Sequence, residues 1–199
     1  MSSRIDQLDA IVAQYDLNAH PFYQAWRAGS LPLERLADYA AEWAPFIAAL
    51  DRGWDRIGLP AYADEEREHD ELWSRFRAAL GAAAAGEMRR PQSRTLLAVG
   101  ENAFASVPEA LGALYSFEVQ QPATARSKLD GLREHYAGTV DEAAQAYFRA
   151  HAIETDEPAM LAERIDRLTD DQFARARTAC AVFSAAAWGA LDGVFYAEA

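Results

Sequence analysis

Apolar residues recur every three to four positions along most of the chain, and this spacing restricts its fold more than any other feature. The clearest run contains Leu33, Leu36, Ala40, Trp43, Ile47, Leu50, Trp54 and Ile57. An α-helix brings residues at this spacing onto one face. A half-buried strand would instead need apolar and polar residues to alternate, and they do not do so here. Abundant alanine and sparse β-branched residues also favour helix. The sequence therefore predicts an all-α fold.

Glycine, proline and capping residues divide these apolar runs into a compact bundle of seven to eight helices. Pro45 should kink the long helix predicted over about residues 32–57, and Pro122 should interrupt the one over about 108–136. Thr169-Asp-Asp-Gln172 forms a capping box that predicts the start of the last helix. Because 51% of the 199 residues are hydrophobic, the chain can bury a sizeable core, and we expect one domain over residues 1–199.

Charge and composition exclude several classes of function. The formal net charge of −12 repels phosphate backbones, so nucleic acid is a poor partner. The sequence shows neither a signal peptide nor an uninterrupted apolar run of about 20 residues, so we expect a cytoplasmic protein without a membrane partner. Cys180 is the only cysteine and is expected to be a small core residue. The oligomeric state, including a homodimer, stays open.

Ionisable residues lie on the apolar faces of three predicted helices. The helix over about residues 63–80 has an apolar stripe made of Leu72, Trp73, Phe76, Ala79 and Leu80. Extended towards the N-terminus by four-residue steps, this stripe reaches His69 and Glu65, which should point into the core. Glu118 and His151 fall on the apolar faces of two later helices. Metal-binding helical bundles place carboxylates and imidazoles in this way, so the pattern predicts a metal site.

The chemistry of such a site depends on both residue types. Carboxylates are hard ligands that can bridge two cations, imidazoles suit iron, and open coordination positions bind O2. Each residue also has a structural interpretation. Glu65 lies in an acidic run that favours a helix start, Glu118 could pair with Arg126, and the histidines could be hydrogen-bonded core residues. The joint position of all four on inward faces favours the metal.

Four blocks of sequence resemble a known superfamily: His20-Pro21-Phe22-Tyr23-Gln24-Ala25-Trp26, Asp64-Glu65-Glu66 through His69 to Leu72-Trp73, Ala113-Leu114-Tyr115-Ser116-Phe117-Glu118 through Gln121-Pro122 to Lys128, and Tyr147-Phe148 with His151. The superfamily is haem-oxygenase-like and includes the quinone synthase PqqC, the TenA thiaminases and a class of di-iron oxidases. The closest resemblance, over about residues 4–165, is to the chlamydial protein associating with death domains and its bacterial relatives.

This resemblance implies a self-sacrificing enzyme that makes p-aminobenzoate for folate biosynthesis. It implies that Tyr23 is consumed as the source of the aromatic ring and that Lys128 supplies the amino group. The substrate would then be either a small molecule or the protein itself. The alternative for Tyr23 is ordinary core packing with a hydrogen-bonded hydroxyl.

The resemblance also implies two metals, either two irons or iron with manganese, that work with O2 and an external reductant. The implied ligands are Glu65, His69, Glu118 and His151. The family continues with an aspartate and a histidine, but this chain has Thr155 and Pro158 at those positions. A shifted carboxylate, Asp156 or Glu154, could substitute. A two-metal site, a single metal, and a metal-free member that binds a small aromatic molecule or acts by protein association therefore all stay open.

Overall fold

The computed structural model describes residues 2–82, 88–153 and 156–197, and this part of the chain is helical without a strand. The helices are α1 (Arg4–Val12), α2 (Pro21–Arg27), α3 (Leu33–Ile47), α4 (Leu50–Arg56), α5 (Pro60–Ala79), α6 (Pro91–Ala103), α7 (Val107–Glu118), α8 (Gln121–His135), α9 (Ala146–His151), α10 (Asp156–Asp166) and α11 (Asp170–Phe195). Two 3-10 turns, Ala13–Tyr15 and Leu17–Ala19, join α1 to α2. The predicted all-α fold is confirmed.

The described residues form more helices than the seven to eight predicted, because two long helices are divided. Pro45 lies inside α3, and the break follows it, where Ala49 donates its N–H to the carbonyl of Phe46 at the tighter three-residue spacing. The second break separates α7 from α8 just before Pro122, which occupies the first turn of α8. Proline favours that position because the first turn of a helix needs no N–H donor there.

Helix α7 lies at the centre of the bundle. It is apolar on all sides and buried from Ala110 to Glu118, as expected for a helix surrounded by others. It packs against α11, α10 and α4, and its closest approach to α11 is at Gly112, where a Cβ would lie 1.9 Å from the Ala176 carbonyl oxygen. A single hydrophobic cluster includes residues from Leu8 in α1 to Val194 in α11.

The last helix, α11, is long and apolar enough to cross a membrane by length and composition, which the sequence analysis did not expect of any segment. Its N-terminus has the predicted capping box, because Thr169 and Gln172 each accept a hydrogen bond from the other's backbone. In the bundle α11 packs along α7 and α6. A core helix of this kind meets the same criterion, so the absence of a membrane partner stays a prediction.

Candidate active site

Three buried side chains from two helices form a compact group of metal-ligand type. Helix α5 supplies Glu66 and His69, α9 supplies His151, and one ligand atom from each lies within 4.8 Å of the others. Glu66 Oε2 is 3.4 Å from His69 Nδ1, and the two imidazole rings are 4.2 Å apart between centroids. We call these three residues the Glu66–His69–His151 cluster.

The glutamate in this cluster is not the one predicted. Glu65 is exposed, so its expected inward position is wrong, and the buried glutamate is its neighbour Glu66. The reason is the phase of α5. Glu66 lies two helical turns before the buried Trp73 and points in nearly the same direction, whereas Glu65 is displaced from it by about 100° around the axis.

The carboxylates that follow α9 also differ from the prediction. The helix is interrupted as expected, because α9 ends at His151 and α10 begins at Asp156. Asp156 is exposed and accepts a hydrogen bond from the Tyr62 hydroxyl (3.2 Å), so an inward ligand at this position was the wrong expectation. Glu154 lies outside the described residues. Sequence reasoning missed Glu157, which is buried at four-residue spacing before Leu161 and Ile165.

Glu118 is buried at the C-terminal end of α7, as predicted. It lies outside the group of ligand atoms within 4.8 Å of one another that the described residues form. Its charge nevertheless acts on the same region. The pKa of Tyr147 is raised well above its ordinary value. Burial is the largest cause, followed by the negative charges of Glu66 and Glu118. Arg126, the partner considered for Glu118, donates to the Ala152 carbonyl oxygen (2.7 Å).

The donors of the cluster fit a non-haem iron. Two imidazoles and one carboxylate with open positions are the donor set of many Fe(II) enzymes that use O2. His151 Nδ1 lies 2.9 Å from the Tyr147 carbonyl oxygen, which directs Nε2 away from that carbonyl. Trp54 Nε1 donates to Glu66 Oε1 (3.2 Å) and holds that carboxylate in place. Such outer contacts are typical of metal ligands.

The predicted tyrosine and lysine lie against each other inside the bundle. Tyr23 on α2 and Lys128 on α8 are both buried. Lys128 Nζ is 3.5 Å from Tyr23 Oη and 4.7 Å from the centroid of the Tyr23 ring. Burial lowers the pKa of Lys128 from its ordinary 10.5 to about 7. The amine is therefore substantially neutral at physiological pH.

A small buried cavity lies beside this pair and is bounded by Tyr147, which contacts the metal-ligand group. Its volume is about 10 Å³, and its wall includes Tyr23, Tyr39, Lys128 and Tyr147. The Tyr23 and Tyr39 hydroxyls are 3.0 Å apart, and burial raises the pKa of Tyr23. The Tyr147 ring also contacts His151, with centroids 4.2 Å apart. Tyr147 therefore separates the cavity from the Glu66–His69–His151 cluster and contacts both.

Comparison with known proteins identifies the family. The chain is 30% identical over 171 residues to the 4-aminobenzoate synthase of Chlamydia muridarum, covering 74% of this chain and 70% of the relative. It is also 30% identical over 174 residues to that of Nitrosomonas europaea, covering 73% and 70%. The chain belongs to the 4-aminobenzoate synthase family. No family model matches it.

The fold is shared more widely than this family. A TenA homologue from P. horikoshii OT3 superposes with a TM-score of 0.75 at 15% identity, covering 98% of this chain and 99% of that one. A TenA homologue from Pseudomonas syringae gives 0.77 at 15% identity, covering 98% and 93%. These matches show the fold alone.

Cys180 is a buried core residue, as predicted, and burial raises the pKa of its thiol to about 12, which disfavours a catalytic thiolate.

Composition contains a further signal that the sequence analysis did not use. Lys128 is the only lysine in the 199 residues of this 4-aminobenzoate synthase family member, beside eighteen arginines. Lysine is ordinarily an exposed residue, yet here the only one is buried. Arginine cannot replace it as a neutral amine, because a guanidinium stays protonated in proteins. The single lysine therefore lies where burial favours its neutral form.

Proposed function

We propose that this chain forms 4-aminobenzoate from its own Tyr23, with Lys128 as the nitrogen donor, at an iron centre that uses O2. The observation that carries the proposal is the position of the only lysine amine, 3.5 Å from the Tyr23 hydroxyl beside a small buried cavity. The family of the chain names the product, and the two side chains supply its carbon and nitrogen atoms.

The carbon and nitrogen atoms of the product match those of the two side chains. 4-Aminobenzoate is a benzene ring with a carboxylate opposite an amine. A tyrosine side chain has its Cβ opposite its hydroxyl, so Cβ of Tyr23 becomes the carboxylate carbon once the Cα–Cβ bond is broken. Nζ of Lys128, which lies nearer to Oη than to the ring centroid, then replaces Oη on the ring carbon, and Oη leaves as water. The Nζ–Cε bond of Lys128 breaks by oxidation, which leaves an aldehyde at Cε. The carboxylate oxygens come from O2 or water.

The protonation state of Lys128 suits this role. A protonated amine has no lone pair and cannot act as a nucleophile. Because burial lowers the pKa of Lys128 to about 7, a large fraction of the amine is neutral near that pH. The contact of Nζ with the Tyr23 and Phe148 rings also holds it over the aromatic wall.

The size of the cavity favours a substrate that is part of the protein. A volume of about 10 Å³ holds about one water molecule. A free aromatic acid therefore does not fit beside Tyr23 and Lys128. The same limit disfavours the alternative of a metal-free protein that binds a small aromatic molecule here.

Glu66, His69 and His151 would hold the iron, which with O2 supplies the oxidising equivalents for the loss of the Cα–Cβ bond. Tyr147 orients the site, because its ring contacts His151 and its hydroxyl accepts a hydrogen bond from Gln121 Nε2 (3.5 Å) on the wall of the cavity. We propose Glu118 as a ligand of a second metal, iron or manganese.

The single lysine permits a direct test. Protein grown in a lysine auxotroph on lysine labelled with nitrogen-15 at Nζ contains that label in Lys128 alone, because no other lysine exists. We expect the iron-loaded protein, given O2 and ascorbate, to release 4-aminobenzoate that contains the label, as measured by mass spectrometry. Ring-labelled tyrosine should transfer its carbon label in parallel.

Matched variants distinguish Tyr23 from other tyrosines. Tyr23→Phe should give no product, while Tyr136→Phe should behave as wild type, since Tyr136 is also buried but donates to the Leu31 carbonyl oxygen elsewhere in the bundle. Unlabelled product from labelled protein would show that the nitrogen comes from another source. No product from iron-loaded wild type would refute the proposed reaction.

A further inference from the structure

The Glu66–His69–His151 cluster contacts a second aromatic system through Glu66. Trp54 on α4 is fully buried, and its indole N–H donates to Glu66 Oε1 (3.2 Å). The Trp54 ring stacks on the ring of Tyr62, with centroids 4.8 Å apart and planes 18° apart. Within the described residues, neither ring has a ring contact with a third aromatic residue. The two rings therefore form a separate pair attached to Glu66.

The outer end of this pair reaches the surface. Tyr62 is partly exposed, and its hydroxyl donates to Asp156 Oδ2 (3.2 Å), whose side chain is exposed. A continuous series of contacts thus runs from Glu66 through Trp54 and Tyr62 to a carboxylate in solvent. The cavity that Tyr147 lines holds about one water molecule, so it is too small to admit a reductant from solution.

We propose that the Trp54–Tyr62 pair is the route by which single electrons from a small reductant in solution, such as ascorbate or a thiol, reach the metal centre. This inference rests on the proposed function, because it requires an oxidising metal at Glu66. The arrangement meets the two needs of such a route. Electron transfer is fastest between rings in van der Waals contact, and oxidation of a phenol needs a base for the proton that it loses.

The electrons and protons balance at each residue. Trp54 gives one electron to the oxidised centre and takes one from Tyr62. The Tyr62 hydroxyl loses its proton to Asp156 in the same step, which leaves a neutral tyrosyl radical. The reductant then returns one electron to Tyr62, and Asp156 returns the proton. Both rings end unchanged, and one electron has passed from the reductant to the centre.

Electron paramagnetic resonance tests the route without measuring product. Iron(II)-loaded protein is mixed with O2, frozen at intervals with or without ascorbate, and analysed for radical signal and iron content. In wild type we expect a tyrosyl signal that ascorbate removes. Because Tyr62 carries this radical in the proposed route, Tyr62→Phe should abolish the signal, and Trp54→Phe and Asp156→Asn should each slow its formation about tenfold or more. The controls Tyr196→Phe, at an exposed tyrosine, and Trp188→Phe, at a partly buried tryptophan on α11, should match wild type.

Every outcome decides the inference. Normal iron content with an unchanged radical signal, formed at an unchanged rate, in all three variants would overturn the route, as would a wild type that gives no radical signal. If Trp54→Phe loses iron, the loss reports on its hydrogen bond to Glu66. Tyr62→Phe and Asp156→Asn then decide, since neither side chain is hydrogen-bonded to Glu66. A wild type that binds no iron overturns the proposed function and the route together, whereas one with a radical but no 4-aminobenzoate overturns the proposed reaction alone.

Discussion

Replacing Lys128 with methionine should stabilise the protein at neutral pH, although it removes the proposed nitrogen donor. Methionine has a similar length and no charge, so it fits the same space among the aromatic rings. Burial lowers the pKa of Lys128 from 10.5 to about 7. At about 1.4 kcal/mol for each pKa unit, the buried amine lowers the free energy of unfolding by roughly 5 kcal/mol at most.

The sign of the pH dependence follows from this pKa. Between about pH 7 and 10.5 the unfolded chain holds a proton on Lys128 that the folded chain has released. The free energy of unfolding of wild type therefore rises with pH in this window, and the contribution is absent from Lys128→Met. The advantage of the variant should be largest below about pH 7, shrink by about 1.4 kcal/mol per pH unit between about pH 8 and 10, and vanish near 10.5.

Urea unfolding at a series of pH values between about 6 and 9 measures both free energies, with tryptophan fluorescence as the signal. Arg133→Met on the same helix is the control, since Arg133 is exposed and its loss should leave the pH dependence of wild type unchanged. The nitrogen-15 resonance of the single lysine gives the pKa directly. If the difference between Lys128→Met and wild type does not change with pH, the lysine keeps its proton in the fold and the reasoning from burial fails.

Two further predictions follow from local geometry. Glu66→Gln should lower the iron content of iron-loaded protein well below that of Glu65→Gln, because Glu66 is in the cluster and Glu65 is exposed; elemental analysis decides, and equal losses would contradict the assignment. Gly112→Ala should cost about 1–3 kcal/mol in urea unfolding because its Cβ would overlap the Ala176 carbonyl, whereas Gly189→Ala, which faces open space, should be neutral or stabilising. If Gly112→Ala has the same free energy of unfolding as wild type, α7 and α11 approach each other less closely than in this structure.

Much of the fold follows from the sequence because local signals and burial agree. The apolar stripe from Leu36 to Ile57 is buried as predicted, and both hydrogen bonds of the capping box at Thr169 form. The break between α3 and α4 was not predictable in the same way. It falls at Ala48 and Ala49, two residues that favour helix and contain no turn signal, so packing between helices decides its position.

The candidate site was predicted in its residue types more accurately than in its exact positions. His69, His151 and Glu118 are buried, and Tyr23 lies beside Lys128. The predicted glutamate, Glu65, is the neighbour of the buried one, Glu66. A run of acidic residues offers both as candidates, and only the phase of the helix distinguishes them. Glu157 was missed for a related reason, because the break before α10 resets that phase. Trp54 lies on a different helix from the cluster, and only tertiary packing brings its indole to Glu66.

Helix α9 holds the Tyr23–Lys128 pair and the Glu66–His69–His151 cluster at a fixed distance, although their residues are far apart in the chain. Its few residues include Tyr147 and His151, which contact the cavity and the cluster, and Phe148, whose ring lies 5.5 Å from Lys128 Nζ. The packing of α9 on both α5 and α8 therefore fixes the distance between the amine and the histidines. Because α9 ends at His151, Pro158, where the chain departs from the family pattern, lies beyond this connection, and the cluster and the Tyr23–Lys128 pair form without it.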